Sequence, residues 1–321
     1  MPNNRFPKLQ ILSNETHTLQ FLLYDTDVSV ANTLRRMLIA DVPTLSIDLV
    51  SVHENTTCLL DEYLSHRLGL MPIRYYDTTV EKFGDASKEF CEPKDCNCED
   101  GCDKCWVTFS LGVQFSDKAT DITCKTVSVT SDDLKTDHPN VSMASFLNEE
   151  EEEIMQEDGI ALVKLAKGQH LYLEAKARLG CSKEHAKWCP VAVATYRFIP
   201  EVYLNDTALT QLTQKQREQL VECCPDQILK IDDVTGQIIL EPDFEDRATF
   251  TEDLHYLQES MKKKPEDEDL ITVKQSESKF VFTVESTGCM HAQEIVRSAL
   301  RRMEEKLIML KGECAGLSEG V

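Results

Sequence analysis

The chain has 321 residues, 41% of them hydrophobic and 28% charged, and its 34 basic against 56 acidic residues leave a formal net charge of −22. That length accommodates about two domains, each with its own core. The carboxylate excess argues against a chain that grips nucleic acid by itself, because phosphate binding depends on clustered Lys and Arg.

Leu19, Phe21 and Leu23 alternate well enough to predict a strand over 19–23 with one buried face. Asp27 then serves as the N-cap of a helix to about Ala40, with Pro43 as a stop just beyond. On that helix Val30 or Ala31, Leu34 and Leu38 form an apolar stripe, and Arg35 and Arg36 lie off it. Leu45, Ile47 and Leu49 resume period two as a second strand. Asp61 to Leu68 reads as a short helix closed by Gly69 and stopped by Pro72.

The stretch Cys96-x-Cys98-x3-Cys102-x2-Cys105 follows. Four thiolates this close match a closed tetrahedral zinc site, which orders a loop and leaves no coordination position free for chemistry. Gly101 permits the tight return, and Cys91, five residues upstream, is a fifth candidate able to replace Cys96. Thirteen cysteines form an odd count in a large chain, and Met1–Pro7 has no apolar stretch that would make a secretory leader. Free thiols plus one metal site in a cytosolic or nuclear protein fit these facts better than a disulfide framework.

Short strands and turns occupy 106–147, and Glu149–Glu153 is a run of five carboxylates that reads as a solvated loop. Strand patterns return over 160–179 and from Ala192 to Phe198. From Asn205 to about Gln275 the texture changes. Thr213-Gln214-Lys215-Gln216 fits a capping box opening a helix through Cys223 that Pro225 ends, and 228–240 reads as a hairpin turning at 232–236. Lys262–Asp269 reads as a charged surface loop. This region is taken as an insertion within one domain. Phe280, Phe282 and Val284 form an alternating strand that Gly288 breaks. The final helix runs from about His291 to Lys311. Its Val296, Leu300, Met303, Leu307 and Leu310 are spaced 4-3-4-3, as in a coiled-coil seam or a helix packed on its own domain.

Signals for catalysis are weak. The chain has no H-E-x-x-H, no Gly-rich phosphate loop and no G-x-S-x-G elbow. Lys183–Trp188 gathers a base, an acid and an aromatic, an arrangement more often structural than catalytic. No run approaches the roughly 18 apolar residues of a membrane-spanning helix.

The segment from Asp27 to Thr44 closely resembles the signature helix of the alpha-like subunits of RNA polymerases, and Asp61–Pro72 resembles the family's second signature. Lys183–Trp188 and Phe282–Gly288 match further family motifs in the same order, so the likeness covers nearly the whole chain. The cysteine loop is similar to that of the third-largest subunits of RNA polymerase II. The related subunit shared by polymerases I and III, the alternative assignment, typically lacks that cage. The 205–275 segment resembles the extra segment of plant-type versions and, more distantly, a ferredoxin-like insert of archaeal ones, although only Cys223 and Cys224 lie in it here.

The resemblance implies an α+β fold in which a discontinuous dimerisation domain is interrupted by a mostly β insert domain carrying the zinc loop. Its parts are 1–48, then the insert over 49–175, then 176–321 with the 205–275 insertion and a C-terminal dimerisation helix over 291–312. It implies a non-catalytic assembly subunit in the nucleus. One structural Zn2+ would be held by Cys96, Cys98, Cys102 and Cys105. A smaller alpha-like subunit would pair along Val296, Leu300, Met303, Leu307 and Leu310, and the second-largest subunit would dock on the helix bearing Arg35 and Arg36. Small zinc-binding subunits complete the implied partners, with DNA and RNA met only through the whole complex and no membrane contact.

Overall fold

The computed structural model describes residues 6–98, 101–118, 125–147, 157–222, 229–232, 236–240 and 270–318. The first half runs β1 (Lys8–Asn14), β2 (Thr18–Tyr24), α1 (Val28–Ala40), β3 (Thr44–Asn55), α2 (Asp61–Leu70), β4 (Ile73–Asp77), β5 (Lys82–Phe83), β6 (Val107–Gln114), α3 (Phe115–Lys118), β7 (Thr126–Thr130), β8 (Lys135–Thr136), β9 (Val141–Met143) and β10 (Ser145–Leu147). The second half runs β11 (Glu157–Gly159), β12 (Ala161–Ala166), β13 (His170–Gly180), β14 (Val191–Leu204), α4 (Asp206–Thr210), α5 (Gln214–Glu222), β15 (Leu229–Ile231), β16 (Ile238–Leu240), β17 (Ile271–Ser286) and α6 (Ala292–Ser318). This is an α+β chain. No described helix is long and apolar enough to cross a membrane.

Two compact units result, one of Met1–Gln10, Phe21–Ala31 and Tyr196–Phe282, the other of Ile11–Gln20, Asn32–Thr195 and Thr283–Val321. The predicted Glu149–Glu153 and Lys262–Asp269 loops and the Cys223-Cys224 pair lie outside the described residues.

In the second unit β3, β13, β6 and β8 make one sheet in that order, with β13 antiparallel to both neighbours. Alternation sends Leu171, Leu173, Ala175, Ala177 and Leu179 inward beside Val107, Phe109, Leu111 and Val113. Ala175 stands opposite Phe109, a small residue beside a large one that keeps this layer level. Leu64 and Leu68 of α2 join the same core, each side chain contributing about 1.5–3 kcal/mol by leaving water.

Gly69 does not close α2, which continues through Leu70 to a cap at Met71 in extended conformation. Gly69 instead lets the helix lie on β3. A Cβ there would stand 3.5 Å from the Ile47 carbonyl, and Ser46 Oγ donates to the Gly69 carbonyl at 2.8 Å. The helix signal was right, but the glycine serves packing.

In the first unit Phe21 and Phe282 stack with ring centres 4.9 Å apart, Tyr196 lies tilted against Phe282, and Tyr196, Phe198 and Phe280 pack edge-on against one another. Strands β1, β2, β17 and β14 are neighbours in that order. A separate small core of Leu209, Leu220, Leu229, Ile238, Leu270 and Ile271 holds α4, α5 and the hairpin of β15 and β16. Gln216 accepts from the Thr213 backbone N–H at 3.1 Å, one half of the predicted capping box.

Candidate metal centre and interaction surfaces

The metal loop is entered by a tight turn over Pro93–Asp95, with the Cys96 N–H donating to the Pro93 carbonyl at 3.3 Å. It is closed by a second turn in which the N–H groups of Cys105 and Trp106 both donate to the Cys102 carbonyl at 3.0 Å. Gly101 sits between them at φ +95°, the left-handed region that glycine enters without steric cost. It also packs on Trp106, whose Cδ1 would stand 2.8 Å from an added Cβ.

These turns bring the Sγ atoms of Cys96, Cys98, Cys102 and Cys105 within 4.8 Å of one another. Neighbouring sulfurs are 3.6 Å apart for Cys96 and Cys102, 3.4 Å for Cys98 and Cys105, and 3.7 Å for Cys102 and Cys105. A tetrahedral zinc with bonds of about 2.3 Å spaces its sulfurs about 3.8 Å apart, so the donor set fits such an ion. The separations are also far longer than the roughly 2.05 Å of a disulfide. The Cys102 N–H donates to Cys105 Sγ at 3.2 Å, the kind of bond that stabilises a thiolate. The Cys96 thiol is drawn down to about 7, chiefly by the backbone N–H of Cys98, and burial pushes the Cys105 thiol up to about 12.

The five residues predicted for a seam differ in exposure along α6. Val296 is buried by its own unit at 6% exposure, beside Ile295 and Ala299. Met303 is half-buried. Leu300, Leu307 and Leu310 face outward at 43, 56 and 56% exposure, with Ile308 and Met309 next to them. The helix is clamped by polar contacts. Ser298 Oγ donates to the buried Asp85 carboxylate at 2.7 Å, and Lys306 Nζ reaches Asp41 at 2.6 Å. Sequence reading missed this clamp. Its partners lie 213 and 265 positions apart, and no local pattern links them.

Arg35 is half-buried and donates to Asn32 at 2.9 Å, whereas Arg36 is exposed and has no carboxylate partner among the described residues. Lys183–Trp188 forms a structural knot. Trp188 is buried, the Arg178 guanidinium lies 4.4 Å from its ring centre and Lys187 lies 4.3 Å from it. Both cations also bind Asp48, at 2.7 and 2.5 Å. His185 Nδ1 accepts from the Lys187 N–H at 3.0 Å, a capping role that gives the histidine a structural explanation.

The family model described as the RNA polymerase Rpb3/Rpb11 dimerisation domain matches residues 20–307. The chain is 36% identical over 317 residues to "DNA-directed RNA polymerase II subunit rpb3" of Dictyostelium discoideum, covering 97% of this chain and 96% of the relative. It is 35% identical over 308 residues to "DNA-directed RNA polymerases II, IV and V subunit 3" of Arabidopsis thaliana, covering 94% and 90%. Identity to the Dictyostelium "DNA-directed RNA polymerases I and III subunit rpac1" is 30% over 308 residues, covering 94% and 81%. The family match and these end-to-end likenesses show that the chain belongs to the Rpb3/Rpb11 family of DNA-directed RNA polymerase subunits and is Rpb3-like.

Proposed function

We propose that the chain is the non-catalytic assembly subunit of a nuclear RNA polymerase II. In this reading α6 pairs with the smaller alpha-like subunit, and the heterodimer then forms the platform on which the second-largest subunit docks. The observation that carries the reading is the outward apolar row of Leu300, Leu307 and Leu310 on a helix whose first half is anchored in its own unit. A helix so fixed presents a preorganised seam, which lowers the ordering cost of association.

Arg35 and Arg36 on α1 are assigned to the second-largest subunit, since a guanidinium fork suits bidentate pairing with a partner's carboxylate. Residues 1–48 and 176–321 supply the dimerisation domain, 49–175 the insert with the metal loop, and 205–275 an insertion of its own. Cys96, Cys98, Cys102 and Cys105 hold one structural zinc, which supplies folding energy to the loop and performs no chemistry. Small zinc-binding subunits join the same assembly, and nucleic acid is met only through the complex, in keeping with the net charge of −22.

Affinity purification of the chain from its own cells, followed by mass spectrometry, tests the reading. Recovery of the polymerase II largest subunit with one small alpha-like partner supports it. Recovery of the polymerase I and III largest subunits reassigns the chain to their shared subunit. A chain recovered alone, as a monomer, overturns the scaffold role.

A further inference from the structure

We infer that α6 docks its partner through a face centred on Leu307 and Ile308, with Glu304 and Lys311 as the flanking charges that select that partner. The element it fits is a helix carrying a cation opposite Glu304 and a carboxylate opposite Lys311. The inference rests on the pairing reading above and deepens it, by naming the side of α6 that the smaller alpha-like subunit covers and the chemistry that recognises it. Successive residues turn about 100° around a helix, so Leu300, Glu304, Leu307, Ile308 and Lys311 share an arc of about 100°. With Met303 they line an open groove of about 340 Å³. Leu300, Leu307 and Ile308 make its floor apolar, at 43, 56 and 63% exposure.

The helix's own unit holds its other sides. Ile295 and Ala299 are buried, and Lys306, on the same side as they are, reaches Asp41 at 2.6 Å. On the next side Ser298 and Arg301 both reach Asp85, at 2.7 and 3.5 Å. The predicted 4-3-4-3 row is thereby turned. Val296 faces inward, and the open face moves round to Ile308, which that row omits. Arg302 pairs with Glu305 at 3.1 Å, so of the charged side chains over 301–311 only Glu304 and Lys311 are exposed and without an ion pair among the described residues. Opposite charges one heptad apart beside an apolar strip are the device by which paired helices fix partner and register. A groove running about three turns along a helix suits another helix, whose anchors fall at i, i+4 and i+7.

The test measures binding of the purified full-length chain to the smaller alpha-like subunit by titration calorimetry. Ile308→Ala should weaken pairing about fivefold. Met309→Ala should leave it unchanged, because Met309 is 61% exposed but lies on the opposite side of the helix from Leu307. Glu304→Lys and Lys311→Glu should each weaken pairing about threefold to tenfold at low salt, since each replaces an attraction by a like-charge contact. At about 1 M salt, where screening acts over about 3 Å, both should approach the wild type while Ile308→Ala stays weak. Equal effects of Ile308→Ala and Met309→Ala, or charge variants that bind as the wild type at low salt, overturn the inference and leave the pairing reading intact. A chain that dimerises with a second copy, in a form that Glu304→Lys breaks on sedimentation, assigns the face to self-association and also overturns it. A wild-type chain that binds no alpha-like subunit overturns the pairing reading itself, and the inference falls with it.

Discussion

Replacing Leu300 and Leu307 together by alanine tests whether α6 is a pairing surface. The two side chains remain 43 and 56% exposed, so the chain's own fold uses only about half of each. Full burial of a leucine side chain is worth about 1.5–3 kcal/mol, so covering the remaining half with a partner helix adds about 1 kcal/mol per residue. Each truncation should therefore weaken pairing about fivefold. Seven residues separate the positions by about 10 Å along the helix, far enough for the effects to add. The double variant should bind the smaller alpha-like subunit about thirtyfold more weakly, measured by titration calorimetry of purified chains. Urea unfolding of the variant alone should change by less than about 0.5 kcal/mol, as for exposed positions generally. Val296→Ala supplies the contrast. Its side chain is buried within its own unit, so it should cost about 1–2 kcal/mol of chain stability and leave pairing nearly unchanged. Unchanged affinity in the folded double variant would refute the reasoning, because it would mean that no partner covers this row.

Cys102→Ser removes the thiol that touches both Cys96 and Cys105; on the proposed zinc reading it should abolish zinc retention and lower the melting temperature of the chain, read by metal analysis and calorimetry. Gly101→Ala forces a Cβ into the left-handed region and against Trp106, at a cost of about 1–2 kcal/mol, so zinc affinity should drop about tenfold or more in a competitive chelator titration. Asp77→Asn tests the acid response. Hydrogen bonds from Lys88 and then Thr79 hold the buried Asp77 carboxyl down from 3.8 to about 2. A carboxyl depressed in the folded state contributes stability that is complete above about pH 4 and is lost as pH falls through about 2. The wild type should thus exceed Asp77→Asn by about 2 kcal/mol in urea unfolding at pH 7, with the gap closing toward pH 2. A gap that stays constant with pH would contradict the assignment.

Local chemistry alone made several features legible. The Asp27 start of α1, the alternation of Val107, Phe109, Leu111 and Val113, the breaking of β17 at Gly288 (φ +93°) and the four-cysteine loop with its glycine all follow from spacing and residue type. These signals act between residues a few positions apart, where backbone geometry dictates the outcome. Choices between faces were not legible. Both Val30 and Ala31 suited the stripe of α1, and the structure buries Ala31. The apolar spacing of α6 likewise treated Val296 and Leu307 as equivalent, although one is covered by its own unit and the other is exposed.

What the sequence by itself determined is therefore the helices α1, α2, α5 and α6, the close grouping of the four loop cysteines and, through its motifs, the polymerase-subunit family. Only the tertiary structure decided that Gly69 seats α2 on β3, that Arg178 and Lys187 both approach the Trp188 ring, and that Asp85 and Asp41 clamp α6 from 213 and 265 positions away. The physical reason is that periodicity specifies which side chains share a face, whereas the neighbour that covers the face is brought there by distant chain, and no local pattern encodes it.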